Sequence, residues 1–104
     1  MIIDVAIVKA SYSLNEYYWF RIDGNKAKMV RRYTEDGGKT WRDVAKSVAV
    51  AEYTCPIVGE VNTENAKRAL RSLFMYQLFL VSETEPFTKA LNEMSLPPVK
   101  HGHH

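Results

Sequence analysis

Large apolar residues crowd the first eight positions, where Met1, Ile2, Ile3, Val5, Ile7 and Val8 are interrupted only by Asp4 and Ala6. Most are β-branched and suit the pleated, half-buried surface of a strand, so a first strand is expected from Ile2 to about Ala10. Alternation sets Ile3, Val5 and Ile7 on one face and Ile2, Ala6 and Val8 on the other. With both faces apolar, the strand reads as one from the middle of a sheet. After a polar turn over residues 11–16, the four rings of Tyr17, Tyr18, Trp19 and Phe20 lead into Arg21 and Ile22 and predict a second strand. Asp23, Gly24 and Asn25 follow, and Gly and Asn tolerate the positive φ of a tight hairpin loop. Lys26 to Tyr33 is then a third strand, antiparallel to the second. Ala27, Met29, Arg31 and Tyr33 share one of its faces, and Lys28, Val30 and Arg32 the other.

The stretch from Thr40 to Tyr53 fits two patterns. Trp41, Val44, Ala45 and Val48 have helical spacing, while Val44, Val48, Val50 and Tyr53 would serve a strand. A fourth strand is preferred, because a short Gly37-Gly38 turn returns the chain into the same sheet and Thr40 alone offers a helix cap. Pro56 to Gly59 ends this segment. A helix starts at Asn62 or Thr63, either of which accepts from free backbone amides, with Glu64 in the positive first turn. Ala66, Leu70, Leu73, Phe74, Gln77 and Val81 keep the spacing of one face out to about Ser82. Lys67, Arg68, Arg71 and Ser72 lie around the other side, but Met75 and Phe79 fall where charge is expected. Pro86 opens a short closing helix with Phe87, Leu91 and Met94 inward. From Leu96 to His104 nothing is patterned for burial, so the domain is expected over 1–95 and a disordered tail over 96–104.

Hairpins followed by helices, without βαβ alternation, predict an α+β fold: an antiparallel sheet of three or four strands, one long helix on one face and a short C-terminal helix. The 104 residues, 46% apolar and 25% charged, suffice for one modest core and exclude two independent domains. No basic-then-apolar leader and no apolar span of about 18 residues is apparent, which points to a cytoplasmic protein that does not enter a membrane. The lone Cys55 has no internal disulfide partner and reads as a buried, inert thiol.

The distribution of side chains argues against catalysis. His101, His103 and His104 are all in the last four residues, so Ser-His and Cys-His nucleophile pairs are missing from the core. The carboxylates are scattered over turns and element ends, with no spacing that marks an acid/base couple. The terminal histidines resemble the remnant of a purification tag, and no metal or cofactor is expected. Gly37, Gly38, Lys39 and Thr40 superficially suggest a phosphate loop, but Tyr33 stands where its first glycine belongs.

Thr34, Asp36, Gly38, Thr40 and Trp41 match the spacing of the Asp box, a motif of sialidase-like propeller repeats. The resemblance covers eight residues and implies only local geometry: a hairpin whose turn Asp36 holds through backbone amides, with Trp41 packed beneath it. A single copy cannot close a propeller.

Two surfaces suggest partners. Met75 and Phe79, one turn apart and on the side of Arg68, form an apolar stripe of the sort that marks protein contact or pairing into a homodimer. With Trp19, Arg31 and Tyr33 on the sheet, these define the expected contacts of a non-catalytic protein-binding module, adaptor-like or inhibitor-like. The alternative is a single-stranded nucleic-acid binder that uses Arg21, Arg31, Arg32 and Arg42 with neighbouring rings such as Tyr33. A net charge of +2 gives that alternative little electrostatic support.

Overall fold

The computed structural model describes residues 1–44 and 52–97, and the backbone alone at Phe79. The fold is α+β. Strands β1 (Ile2–Lys9), β2 (Glu16–Asp23) and β3 (Lys26–Tyr33) form an antiparallel meander. Beyond β3 lie two further segments, β4 (Arg42–Asp43) and β5 (Glu52–Pro56). Both run antiparallel to β3, β4 against Arg32 and Tyr33, β5 against Lys26 to Val30. The expected fourth strand is thus one lane of the sheet in two pieces, and residues 45–51 between them are outside the described residues.

β1 is an edge strand, hydrogen-bonded to β2 alone along its length, and not a central one. A bulge explains why its pattern misleads. Ile3 pairs with Ile22 and Asp4 with Arg21, but Ala6 pairs with Phe20, which leaves Val5 as the extra residue. The slip changes the phase, so Ile3 faces the core before it and Ala6, Val8 and Ala10 after it. Ile2 and Ile7 are consequently exposed. At its far end the strand gains a partner distant in sequence: Ala10 bridges to Val81, the Ser11 amide donates to the Leu80 carbonyl and the Ser82 amide to the Lys9 carbonyl.

That bridge also shortens the long helix. α1 spans Thr63–Tyr76, and residues Leu78–Leu80 form a 3₁₀ turn where continuous helix to Ser82 was expected. Extended backbone at Val81 meets the free edge at Ala10, which a helix cannot do. Asn62 is the N-cap, its side chain accepting from the Asn65 amide at 2.9 Å. α2 (Glu85–Glu93) starts one residue before Pro86, which sits in its first turn, and buries Phe87 and Leu91, while Met94 is half-buried against the core. The packed chain runs one residue past the expected boundary, because Leu96 is buried and its amide donates to Thr63 Oγ1. The terminal histidines fall outside the described residues.

Both helices cover the same face of the sheet, α1 over β3 and β5 and α2 over β1. Their junction is a cluster of three rings. Phe74 of α1 stacks on Phe87 of α2 with centroids 4.0 Å apart and planes 2° from parallel, and Phe20 of β2 meets both edge-on at 5.8 and 4.9 Å. Tyr18, Ile22, Ala27 and Met29 fill the sheet side of this core. Cys55 is half-buried at its margin.

Candidate functional site

Among the described residues no helix covers the outer face of the sheet, and alternation sends Tyr17, Trp19 and Arg21 of β2 and Lys28, Val30 and Arg32 of β3 there. Trp41 leans on this face, edge-on to Tyr17 at 5.1 Å and to Trp19 at 5.2 Å. The Arg32 guanidinium lies 4.8 Å from the Trp19 ring centre. Arg21, Lys28 and Arg32 on this face also meet carboxylates. Arg21 Nε is 3.0 Å from Asp4, Arg32 Nε 2.9 Å from Asp43, and Lys28 Nζ 2.9 Å from Asp23 and 3.6 Å from Glu52. The rings that sequence reasoning grouped with arginines are therefore half-buried among paired charges.

Trp41 owes its position to the turn before it. Asp36 Oδ1 accepts from the amides of Lys39 and Thr40 at 3.0 and 2.9 Å and from the Thr34 hydroxyl at 2.8 Å, and Asp36 Oδ2 accepts from the Thr40 hydroxyl at 2.6 Å. These donors, with the Thr40 hydroxyl foremost, lower the Asp36 pKa to about 2. Gly37 and Gly38 take φ of 75° and 96°, where a side chain would be strained. A Cβ on Gly38 would stand 3.7 Å from Trp41 Cζ2, so the indole does lie against the turn. The local geometry implied by the Asp-box resemblance is thus present between β3 and β4.

Arg31 and Tyr33 are on the opposite side of β3 from Trp19 and share no surface with it. Arg31 is 2.6 Å from Glu16, which also accepts from the Tyr12 hydroxyl at 2.9 Å. The Tyr12 and Tyr18 hydroxyls are 2.9 Å apart. With the Tyr12 proton committed to Glu16, Tyr18 donates to Tyr12. Burial, followed by this hydrogen bond, raises the Tyr18 pKa above the usual tyrosine value. This relay, which no sequence motif announces, fastens the 11–16 turn to the sheet. Tyr33 and the exposed Arg42 border a small polar hollow beside Asp36.

The helical face is different in character. Between α1 and α2 runs an open groove of about 340 Å³. Its floor is the Phe74–Phe87 stack with Leu91, and Met75 and Leu78 form one wall. Met75 is 65% exposed, Leu78 39% and neighbouring Tyr76 77%, so the closing helix leaves Met75 of the predicted stripe uncovered. The α2 wall offers Thr84, Thr88 and Asn92, and among the described residues Arg71 is the one charged residue lining the groove. Arg68 borders a separate hollow with Val58 and Asn65 and donates to Asn65 Oδ1 at 3.2 Å, so it does not join Met75 in one site. Sequence reasoning missed Arg71 and found Met75. The side chain of Phe79 is outside the described residues.

Among the described residues, no three His, Cys, Asp or Glu side chains come together to hold a metal, and no helix is long and apolar enough to cross a membrane. Set against protein-family models, curated proteins and solved structures, the chain gives no match in any of the three.

Proposed function

We propose that this chain is a non-catalytic protein-binding module, adaptor-like or inhibitor-like, that engages its partner through the groove between α1 and α2. One observation carries this: a concave apolar surface floored by stacked phenylalanines is left open, with Met75 and Leu78 exposed along it. Water on such a surface is displaced favourably by any apolar side chain that fits, at roughly 25 cal/mol per Å² buried. Pairing with a second copy is the other occupant this reading admits, and sedimentation at micromolar concentration reads it directly.

The nucleic-acid alternative draws on Tyr17, Trp19 and Trp41. It has weaker support, because a phosphate would have to displace a carboxylate at Arg21, at Lys28 and at Arg32. Affinity capture from the native host, with and without nuclease, separates the two. The protein reading expects a captured protein that survives nuclease and is lost with the double variant Met75→Gln, Leu78→Gln, whose polar side chains preserve size and helix propensity. Capture abolished by nuclease, or unchanged by the double variant, refutes it.

A further inference from the structure

We propose that the partner segment seated in this groove is acidic and amphipathic: its apolar side chain rests on Phe74 and Phe87, and its carboxylate pairs with Arg71. This rests on the reading of the groove as a protein-binding surface and names the chemistry that surface selects. Arg71 precedes Phe74 by three residues and Met75 by four, so its guanidinium stands on the helical face that lines the groove. It forms no ion pair or hydrogen bond among the described residues, unlike Arg21, Arg31 and Arg32, which each face a carboxylate.

The opposite wall leaves that charge unanswered. Thr84, Thr88 and Asn92 are neutral there, whereas Glu85, Lys89 and Glu93 line an adjoining hollow on the far side of Thr88 and Asn92, which border both. The result is an apolar trough with one uncompensated cation at its side and hydroxyl and amide groups opposite, able to meet a peptide backbone. Its volume of about 340 Å³ is at the small end of ligand sites, roughly 300–1,000 Å³, and suits one or two large side chains of a docked segment. A second copy that pairs groove to groove is the poorer fit, because a twofold interface sets the same patch on both sides and the described lining residues include no carboxylate to meet Arg71. An acidic residue about one helical turn, roughly 5.4 Å, from the apolar anchor reaches Arg71 instead.

The test is selection of displayed random twelve-residue peptides on the purified full chain. Peptides that also bind the Met75→Gln, Leu78→Gln variant are discarded, so that those kept are directed to the groove. These are expected to carry Asp or Glu beside bulky apolar residues, and to weaken about tenfold or more on Arg71→Glu. Selection repeated on Arg71→Glu is expected to favour Lys and Arg, a reversal that a merely structural role for Arg71 would not produce. Arg71→Gln keeps the test open should the charge reversal disturb folding, with circular dichroism as the check. Groove-directed peptides with no charge bias, or bound equally by Arg71→Gln, overturn the acidic-partner proposal and leave the groove reading standing. Recovery of no groove-directed peptide overturns both.

Discussion

Truncation of Phe87 to Ala tests whether α2 is seated as described, on one stacked and one edge-on ring. The helix has nine residues and buries only Phe87 and Leu91, so its hold on the sheet is concentrated at Phe87, which is 2% exposed. A buried phenylalanine removes about 150–250 Å² from water. Cutting it back to Ala forfeits roughly 3 kcal/mol of transfer free energy at about 25 cal/mol per Å². Loss of the stacked contact with Phe74 and the edge contact with Phe20 adds on the order of 1 kcal/mol. The sum, about 4 kcal/mol, agrees with the roughly 3–5 kcal/mol seen for such truncations. It is a large share of the ~5–15 kcal/mol that holds a domain of this size. Urea unfolding followed by circular dichroism should show the midpoint fall accordingly, and thermal unfolding a drop of roughly 15–30 °C. Phe87→Leu keeps most of the apolar volume and should cost about 1–2 kcal/mol. A loss below about 1 kcal/mol for Phe87→Ala would refute the three-ring junction and, with it, the floor of the groove.

Other expectations follow from the turn, the tyrosine relay and the helix cap. Asp36 has its pKa depressed from 3.8 to about 2, so its ionised form favours the folded turn; that contribution is complete above pH 3.8 and lost as pH falls through about 2. An NMR pH titration of the Lys39 and Thr40 amides should show this step, and Asp36→Asn should abolish it. Tyr18 is shifted the opposite way, so its neutral phenol contributes stability in full below pH 10 and loses it as pH rises further. Phenolate absorbance should therefore show Tyr18 ionising only as the protein unfolds, and Tyr18→Phe should remove that alkaline component. Asn62→Ala deletes the cap of α1 and should cost about 1 kcal/mol in denaturant unfolding, against little change for Asn62→Ser.

What could be read from the chain beforehand was whatever neighbours in sequence decide. The Gly24 hairpin, the Asp36 turn, the Asn62 cap and the Pro86 start of α2 each rest on a few adjacent residues with specific backbone chemistry. Features set by distant contacts were not legible. Nothing near Val5 announces a bulge, since the slip is defined by pairing with Phe20 and Arg21 across the sheet. Nothing near Gln77 ends a helix, since the demand comes from the free edge at Ala10. The arginines were visible as cations, but the carboxylates that neutralise three of them, Asp4, Glu16 and Asp43, all come from a neighbouring strand. Spacing did bring out Met75. Arg71 went unrecognised because its importance depends on α2 presenting neutral side chains opposite, a matter of docking angle that helical periodicity does not contain.

The hydrogen bonds that join Lys9 and Ser11 to Leu80 and Ser82 carry a consequence for biosynthesis. The ribosome makes the most apolar strand first, yet the residues that cover the end of its outer edge are made more than seventy positions later. Until they emerge, the nascent chain leaves the Lys9–Ser11 end of that edge open to foreign strands. Slow translation over residues 57–82 would prolong that exposure, and chaperone occupancy on stalled chains should drop once Ser82 has cleared the exit tunnel.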